Sequence, residues 1–227
     1  MTELLFLIIA MILLASGWHY FIWICKKNNR VDWGRNWLNV LDGLNRIFCN
    51  KYHRLIFDEV PLPEKGGAII VSNHLSGLDP LLMLASTRRP LRFLIAQEEY
   101  QRWWLRWLLS AVGCIPVNRS RDAHKALYAA RQALEAGEVI VIFPQGGIRA
   151  LDQPPIKLKR GAVFLASRVG VPIVPIIIAG VRGQGRTILA VFLRSTVRLK
   201  VFDTLSCSRE PGESTFDLIT NIIYPST

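Results

Sequence analysis

Short apolar runs alternate with longer amphipathic segments along most of the chain, and each kind predicts a different element. The short runs are rich in β-branched residues and predict buried strands. They lie at residues 67–71, 91–96, 114–119, 139–143 and 171–178. Segments with apolar residues at helical spacing lie at 81–87, 98–112, 122–136, 161–169 and 216–223. This alternation predicts an α/β fold with a central, mostly parallel sheet and flanking helices.

Two segments after residue 170 predict less regular structure. Pro172 and Pro175 interrupt the run at 171–178. Because proline has no N–H to donate, they predict irregular pairing or a position at the sheet edge. Residues 188–193 and 197–202 predict a hairpin.

The N-terminal pattern differs from the rest of the chain. Residues 4–25 are almost continuously apolar, and as a helix they span ~33 Å, about the thickness of a bilayer's hydrocarbon core. Aromatic residues at 18–23 and a basic segment at 26–30 follow the order expected at a membrane interface. We therefore expect membrane-associated N-terminal helices, either spanning the bilayer or lying in one leaflet, with the remaining chain in the cytoplasm. Glu3 and the lack of a small-x-small site disfavour a cleaved signal peptide.

Domain organisation follows from these patterns. We expect an anchor at 1–30, an amphipathic helical segment at 31–60 and an α/β catalytic domain at 61–227. Within that domain, the helix at 98–112 carries Trp103, Trp104 and Trp107 interleaved with arginines. This pattern favours a membrane-facing helix, and a tryptophan-rich core helix is the alternative.

Composition narrows the class of partner. The chain is 51% hydrophobic and carries a formal net charge of +11, which favours anionic membranes or acidic substrates. It contains no basic run with interleaved aromatics, so nucleic acid is a much poorer candidate. The cysteines and histidines have no metal-ligand spacing and the cysteines form no CxxC pair, so we expect neither a metal site nor a disulfide framework.

Polar residues that can do chemistry follow three of the predicted strands. Asn73 and His74 follow the first, Arg119 ends the third, and Gln145 and Arg149 follow the fourth. Because ligands bind at the carboxyl edge of open α/β sheets, we expect these residues to share one cleft.

His74 and Asp79 are the candidate catalytic pair. A carboxylate can hold one imidazole nitrogen while the other takes a proton from a hydroxyl group. Asp79 precedes Pro80 and an apolar run, so it also fits the N-cap of a helix. The spacing leaves both interpretations open.

The order of these motifs resembles that of the glycerolipid acyltransferases, in particular the 1-acylglycerol-3-phosphate acyltransferase family. The resemblance covers about residues 66–180. Its four blocks are the His-x4-Asp motif at 74–79, a block ending in arginine at 113–119, a Phe-Pro-x-Gly block at 143–149 and a Val-Pro-Ile-Val-Pro block at 171–175.

The resemblance implies an activity and assigns roles. An acyl group would pass from acyl-CoA or an acyl-acyl carrier protein to the free hydroxyl of a lysophospholipid, giving phosphatidic acid from 1-acylglycerol-3-phosphate. His74 would be the base, held by Asp79, and the thioester would be a co-substrate, with no further cofactor. Arg119 and Arg149 would hold the acceptor phosphate. The other substrate-binding candidates are Asn73, Gln145, Gly146 and Gly147.

Acyl transfer also needs donors for the oxyanion that forms on the thioester carbonyl. Backbone N–H groups of the Gly146-Gly147 turn or of the helix start after Asp79 are the candidates. Membrane phospholipids and a CoA or carrier-protein thioester are the expected partners.

The third block departs from the family's Phe-Pro-Glu-Gly-Thr-Arg pattern. Gln145 stands in place of the glutamate, Gly147 in place of the threonine, and Ile148 precedes Arg149. The departure affects acceptor identity more than acyl chemistry. Two alternatives stay open: a lipid hydrolase or thioesterase that uses the same pair on water, and a lipid-binding membrane protein with weakened catalysis.

Overall fold

The computed structural model describes residues 2–118, 123–206 and 213–225, and within these ranges the strands form one seven-stranded sheet. The strands are β1 Ile56–Phe57, β2 Ala68–Ser72, β3 Leu91–Ala96, β4 Ile115–Val117, β5 Val139–Ile142, β6 Ile173–Ala179 and β7 Arg198–Val201. Their order is β1-β7-β6-β2-β5-β3-β4. Neighbouring strands are parallel except β6 and β7, which are antiparallel. The predicted α/β fold with a mostly parallel sheet is confirmed.

Helices flank this sheet and extend the chain at its N-terminus. They are α1 Thr2–Asn28, α2 Asn36–Ile47, α3 Asp79–Ser86, α4 Gln97–Tyr100, α5 Trp103–Val112, α6 Ala123–Glu135, α7 Gly161–Val169, α8 Leu189–Phe192 and α9 Glu213–Ile223. A π-helical turn, Phe48–Tyr52, extends α2. The helix predicted at 98–112 is thus two helices, because the backbone of Arg102 leaves the helical region with ψ 115°.

The central strand β2 is buried on both faces of the sheet. Ile70 packs in a cluster with Leu82 and Met83 of α3, whereas Ile69 joins a cluster with Leu165 of α7. This split follows from the alternation of side chains along a strand. Each fully buried aliphatic side chain contributes about 1.5–3 kcal/mol. The loop that follows β2 therefore starts from a rigid point.

The edge position predicted for residues 171–178 is wrong, because β6 lies between β2 and β7. Pro175 pairs in register with Val71, and its carbonyl accepts the N–H of Phe202 at 3.0 Å. The proline nitrogen therefore faces β7 just beyond the ladder that starts at Ile176. The N–H that proline lacks would have formed only a terminal bond of that ladder.

The hairpin predicted at 188–202 is also wrong. Its first half is the short helix α8, and its second half, β7, pairs with β6 and β1. The Tyr52 hydroxyl donates to the carbonyl of Phe192 at 2.6 Å, and His53 Nε2 donates to that of Val191 at 3.1 Å. Distant contacts of this kind override the local pattern.

Helix α1 is long and apolar enough to cross a membrane, and it projects from the rest of the protein. Its most apolar 18-residue window has a mean hydropathy of 2.1 and no buried residue. Helix α2 packs against α1 at Gly43, where an added Cβ would lie 1.7 Å from the carbonyl oxygen of Cys25. Glycine is required for so close an approach of the two backbones.

A buried ion pair within α2 includes an arginine that also binds the C-terminus of α3. Arg46 Nε contacts Asp42 Oδ2 at 2.6 Å, and both side chains are at most 5% exposed. The same guanidinium donates to the carbonyls of Ala85 and Thr87 at 2.8 and 2.6 Å, at the C-terminus of α3. A cation at this end of a helix also interacts favourably with the helix dipole. Helix α2 thereby holds the helix that begins with Asp79.

We expect protein stability to fall at acidic pH because of His53. The residue is fully buried, its Nε2 donates to Val191, and its Nδ1 has no partner among the described residues. Burial lowers the pKa of His53 below its ordinary value. The unfolded state therefore binds more protons, so stability is complete above the unfolded-state pKa of about 6.5 and declines as the pH falls towards the lowered value.

Denaturant unfolding at pH 7.5 and 5.5 measures this dependence. The variant His53→Gln keeps an N–H donor but does not titrate, and we expect its free energy of unfolding to change less between the two conditions. Equal changes in both proteins would show that another group is responsible.

Candidate active site

The backbone of His74 is fixed from the strand beside it. Its N–H donates to Gln145 Oε1 at 2.6 Å, and its carbonyl accepts the N–H of Arg149 at 2.8 Å. His74 follows β2, and both partners follow β5, the parallel neighbour of β2. The carboxyl ends of these strands meet at one edge, so the predicted first and third blocks lie side by side.

His74 and Asp79 are in direct contact. The distance from His74 Nδ1 to Asp79 Oδ2 is 2.8 Å, with side-chain exposures of 17% and 0%. Oδ2 also accepts the N–H groups of Leu75 and Ser76, at 2.6 and 2.9 Å, and Oδ1 accepts the Ser76 hydroxyl at 2.8 Å. The carboxylate thus faces back into the loop, and Leu78 occupies the N-cap position of α3. Asp79 therefore holds the imidazole and does not cap the helix.

These contacts determine what the imidazole can do. Because Nδ1 donates to the carboxylate, neutral His74 presents Nε2 as a proton acceptor. Nε2 makes no hydrogen bond within the described part of the chain. The ring also stacks on Phe143, with centroids 4.2 Å apart and planes at 14°. Ring and hydrogen bond together hold Nε2 in one direction, as a general base requires.

Asn73 has a structural task in this arrangement. Its side-chain amide donates to the carbonyl of Ile178 at 3.0 Å and accepts the N–H of the same residue at 2.8 Å. The residue is only 2% exposed. It therefore ties the end of β2 to β6 and positions the adjacent His74, while its predicted contact with substrate stays a prediction.

Gln145 joins His74 to the end of the chain. While Oε1 accepts the His74 N–H, Nε2 donates to the hydroxyl of Tyr224 at 3.1 Å. Tyr224 directly follows α9, and no local pattern pointed to it. The amide in place of the family's carboxylate therefore has a specific partner in this chain.

The glycine turn after Gln145 has two distinct halves. Gly146 adopts a left-handed φ of 73°, and an added Cβ would lie 2.8 Å from Lys159 Cε. Its N–H donates to the carbonyl of Phe143 at 3.0 Å. Gly147 has open space where a Cβ would stand, and its N–H has no hydrogen-bond partner among the described residues. Lys159, which the sequence did not single out, brings a cation to this turn.

The start of α3 offers no N–H groups for an oxyanion. Leu75 and Ser76 donate to Asp79, and the N–H groups of Leu81 and Leu82 both donate to the carbonyl of Leu78. Of the two candidate sources, the glycine turn is the one that keeps a donor available.

Of the two predicted phosphate-binding arginines, Arg149 lies in the described part of the chain. Arg149 is half-buried, and its Nη2 donates to the carbonyl of Pro154 at 3.2 Å. Arg119 lies outside the described residues. Strand β4 ends at Val117 and is parallel to β3, so its carboxyl end lies at the same sheet edge as His74.

A glycine-rich loop after β6, residues 180–187, closes another side of the site. The N–H of Gly185 donates to the carbonyl of Leu75 at 2.8 Å, and an added Cβ on Gly77 would lie 2.2 Å from the carbonyl oxygen of Thr187. The glycines at 180, 183 and 185 indicate a backbone with positive φ angles, but no sequence pattern relates this loop to His74.

The fold and site together are those of an α/β protein with a His–Asp pair at the carboxyl edge of a parallel sheet. The model of the acyltransferase family matches residues 56–179, more than half of the chain, and includes this pair. The chain belongs to the acyltransferase family.

Individual relatives carry more specific names. A probable 1-acyl-sn-glycerol-3-phosphate acyltransferase of Mycoplasma pneumoniae is 32% identical over 127 residues, which are 53% of this chain and 47% of the relative. The 1-acyl-sn-glycerol-3-phosphate acyltransferase of Bacillus subtilis is 26% identical over 121 residues, 53% of this chain and 59% of the relative. The chain spans about half the length of the curated relatives it matches.

A solved structure has the same fold. The crystal structure of the 1-acyl-sn-glycerophosphate acyltransferase of Thermotoga maritima aligns with a TM-score of 0.62 and covers 91% of this chain and 84% of its own. Its sequence identity is 19%, so the likeness concerns architecture alone.

Proposed function

We propose that this protein is a membrane-associated O-acyltransferase that acylates the free hydroxyl of a lysophospholipid such as 1-acylglycerol-3-phosphate. The acyl donor is a thioester of coenzyme A or of acyl carrier protein. The observation that carries the proposal is the 2.8 Å contact between His74 Nδ1 and Asp79 Oδ2, which leaves Nε2 for the acceptor hydroxyl. The names of the relatives support this choice of acceptor.

The reaction needs one base and no acyl-enzyme intermediate, because a thioester is already activated. His74 Nε2 takes the proton of the acceptor hydroxyl while the hydroxyl oxygen bonds to the thioester carbonyl carbon. The tetrahedral intermediate then breaks its carbon–sulfur bond, and the imidazolium returns the proton to the leaving thiolate. Asp79 stabilises the imidazolium between these steps. The products are the ester and the free thiol.

The oxyanion of the intermediate requires a preorganised donor. The Gly147 N–H suits this role because no group in the described chain accepts it. The position that a Cβ of residue 147 would occupy is also open. Any side chain at this position would narrow that space.

Basic residues that follow β4 and β5 in the sequence suit a phosphate-bearing acceptor. Arg119 and Arg149 would hold the phosphate by charge-assisted hydrogen bonds, which are stronger than neutral ones. Among the described residues, the Arg149 side chain donates one hydrogen bond, to Pro154, out of the five N–H groups of a guanidinium.

The membrane supplies the acceptor and orients the enzyme. Helix α1 would hold the protein at the bilayer, and Lys26 and Lys27 in its last turn favour a cytoplasmic position for the catalytic domain by the positive-inside rule. Both thioester donors are water-soluble and would reach the site from that side.

A product assay tests the proposal. Purified full-length protein in mixed micelles is given labelled 1-acylglycerol-3-phosphate with either acyl-CoA or acyl-acyl carrier protein. Diacyl product supports acyl transfer, and the more active donor identifies the thioester. Free fatty acid would indicate a hydrolase, and no turnover would indicate a lipid-binding protein.

We expect Gln145→Glu and Arg119→Ala to alter acceptor choice. The first change adds a negative charge at nearly constant volume, so it alters electrostatic selection more than packing. The second removes a charge-assisted bond and weakens phosphate-bearing acceptors by about 2 to 3 kcal/mol. Initial rates with 1-acylglycerol-3-phosphate and with a neutral lysolipid measure both effects. Equal slowing with every acceptor would assign these residues to the chemistry or the fold.

Tyr224→Phe tests the support of Gln145. The change leaves the ring in place but removes the acceptor of Gln145 Nε2, so the amide can turn away from the His74 N–H. We expect kcat to fall about fivefold with little change in KM, in line with about 1 kcal/mol for one hydrogen bond. Gln145→Leu should lower kcat by a smaller factor in the Tyr224→Phe protein than in the wild type. Independent, additive effects of the two changes would contradict the coupling.

A further inference from the structure

Helix α5 presents large apolar side chains to the surroundings of the protein. Trp103, Trp104 and Trp107 are 86%, 48% and 57% exposed, and α5 has no buried residue. Exposed apolar patches of this kind mark sites of interaction with proteins or membranes. The helix is nevertheless fixed, because Leu109 and Val112 on its other side pack against the core.

The exposed rings are also arranged for a water–lipid boundary. Trp107 Nε1 donates to the carbonyl of Trp104 at 2.8 Å, so its polar atom is already satisfied. Arg106 is exposed on the same helix, and exposed Arg102, which precedes the helix, pairs with Glu99 at 2.8 Å. Tryptophan rings next to guanidinium groups suit the headgroup region of a bilayer, where rings reach towards the acyl chains and cations meet phosphates.

Helix α5 is joined to the membrane helix through α2. Trp37, in the first turn of α2, contacts Trp107 with ring centroids 5.5 Å apart. Helix α2 follows α1 after residues 29–35 and packs against it where Gly43 meets Cys25. The apolar surface of α5 is thus continuous with the end of α1 that carries the interfacial aromatic residues and lysines.

We propose that α5 is a second membrane-contact element, with Trp103, Trp104 and Trp107 inserted into the interface of an anionic phospholipid bilayer beside α1. The net charge of +11 favours anionic lipids over neutral ones. Helix α4 starts directly after β3, at the sheet edge that carries His74, and α5 follows α4. Two contacts would therefore set the orientation of this edge to the lipid surface, whereas α1 alone leaves the domain free to rotate. This inference does not depend on the proposed acyl transfer.

Photocrosslinking in the full-length protein tests the contact. Trp103 is replaced by benzoylphenylalanine, and the protein is reconstituted into vesicles of phosphatidylglycerol and phosphatidylcholine that contain a labelled phospholipid. The matched control carries the same replacement at Tyr128, which is 60% exposed on α6 at the opposite face of the sheet. Both positions are exposed, so neither replacement disturbs the core, and α1 keeps both proteins on the vesicles.

We expect at least about tenfold more lipid adduct at position 103 than at 128, because only the first site lies within reach of the interface. Vesicles of phosphatidylcholine alone should lower the adduct at 103. Equal adduct at the two positions, or crosslinking of position 103 to a second copy of the chain, would overturn the membrane assignment. Equal yields on the two vesicle compositions would overturn the preference for anionic lipid.

Discussion

We expect His74→Ala to lower the rate of acyl transfer by about 10²-fold or more, the usual scale for the loss of a general base. The side chain is a poor candidate for a structural role, since its contacts are one hydrogen bond to Asp79 and the stack on Phe143. Its backbone bonds to Gln145 and Arg149 do not need the imidazole. The variant should therefore fold normally and lose turnover.

Asp79→Asn should lose turnover, as His74→Ala does. Asp79 Oδ2 accepts the His74 ring and two backbone N–H groups, and a neutral amide in its place would not stabilise the imidazolium that forms during the reaction. Ser76→Ala is the matched control, because it removes the partner of Oδ1 while leaving the contact with His74 in place. We expect a much smaller loss in this variant.

Initial rates at saturating thioester measure these effects, with circular dichroism and a denaturation midpoint as checks of the fold. Full turnover in a folded His74→Ala protein would remove the pair from the mechanism. Equal losses in Ser76→Ala and Asp79→Asn would show that the shape of the loop matters more than the base.

The sequence predicted the parts of the fold that local patterns encode. Strands β2, β3 and β5 are short apolar runs because they lie inside the sheet, and α7 coincides with its predicted range. The polar ends of β2 and β5 meet because parallel strands place their carboxyl ends together. The position of the candidate site therefore followed from the order of elements.

The role of Asp79 could not be decided from the sequence and required the three-dimensional structure. An N-cap and a partner for histidine have the same residue type in the same place, and they differ only in the direction of the carboxylate. In the structure it points to His74, Leu75 and Ser76. Sequence spacing does not encode this direction.

Contacts between distant segments account for the remaining errors and omissions. Tyr224 reaches Gln145 from the other end of the domain, and Phe143 stacks on a ring from a neighbouring strand. Both Phe143 and Tyr224 would suit an ordinary core position. The interior position of β6 is possible because the N–H that Pro175 lacks would have formed only a terminal bond of the ladder with β7. Only the pairing of the strands shows which bond this is.

Arg46, which pairs with Asp42, links α3 of this site to α2 and α1. Arg46 comes from α2, which packs on α1, and it holds the C-terminus of α3, whose N-terminus is Asp79. A rigid helix of eight residues thus connects α2 to the carboxylate that contacts His74. Its integrity should matter for both stability and catalysis.

Arg46→Met should destabilise the protein by about 3–5 kcal/mol, because it leaves the Asp42 carboxylate buried without its cation and the last carbonyls of α3 without a donor. Arg131→Met is the matched control. Arg131 and Glu135 also form a pair four residues apart on a helix, but their side chains are 52% and 46% exposed, and loss of such a pair costs about 0–1 kcal/mol. The free energy of unfolding, from urea titrations of both variants in the same detergent, measures the difference.

Adding Asp42→Leu to Arg46→Met should recover part of the lost stability, since the unpaired charge is then gone. Losses of similar size in the Arg46 and Arg131 variants would mean that the buried pair is no more important than a surface one.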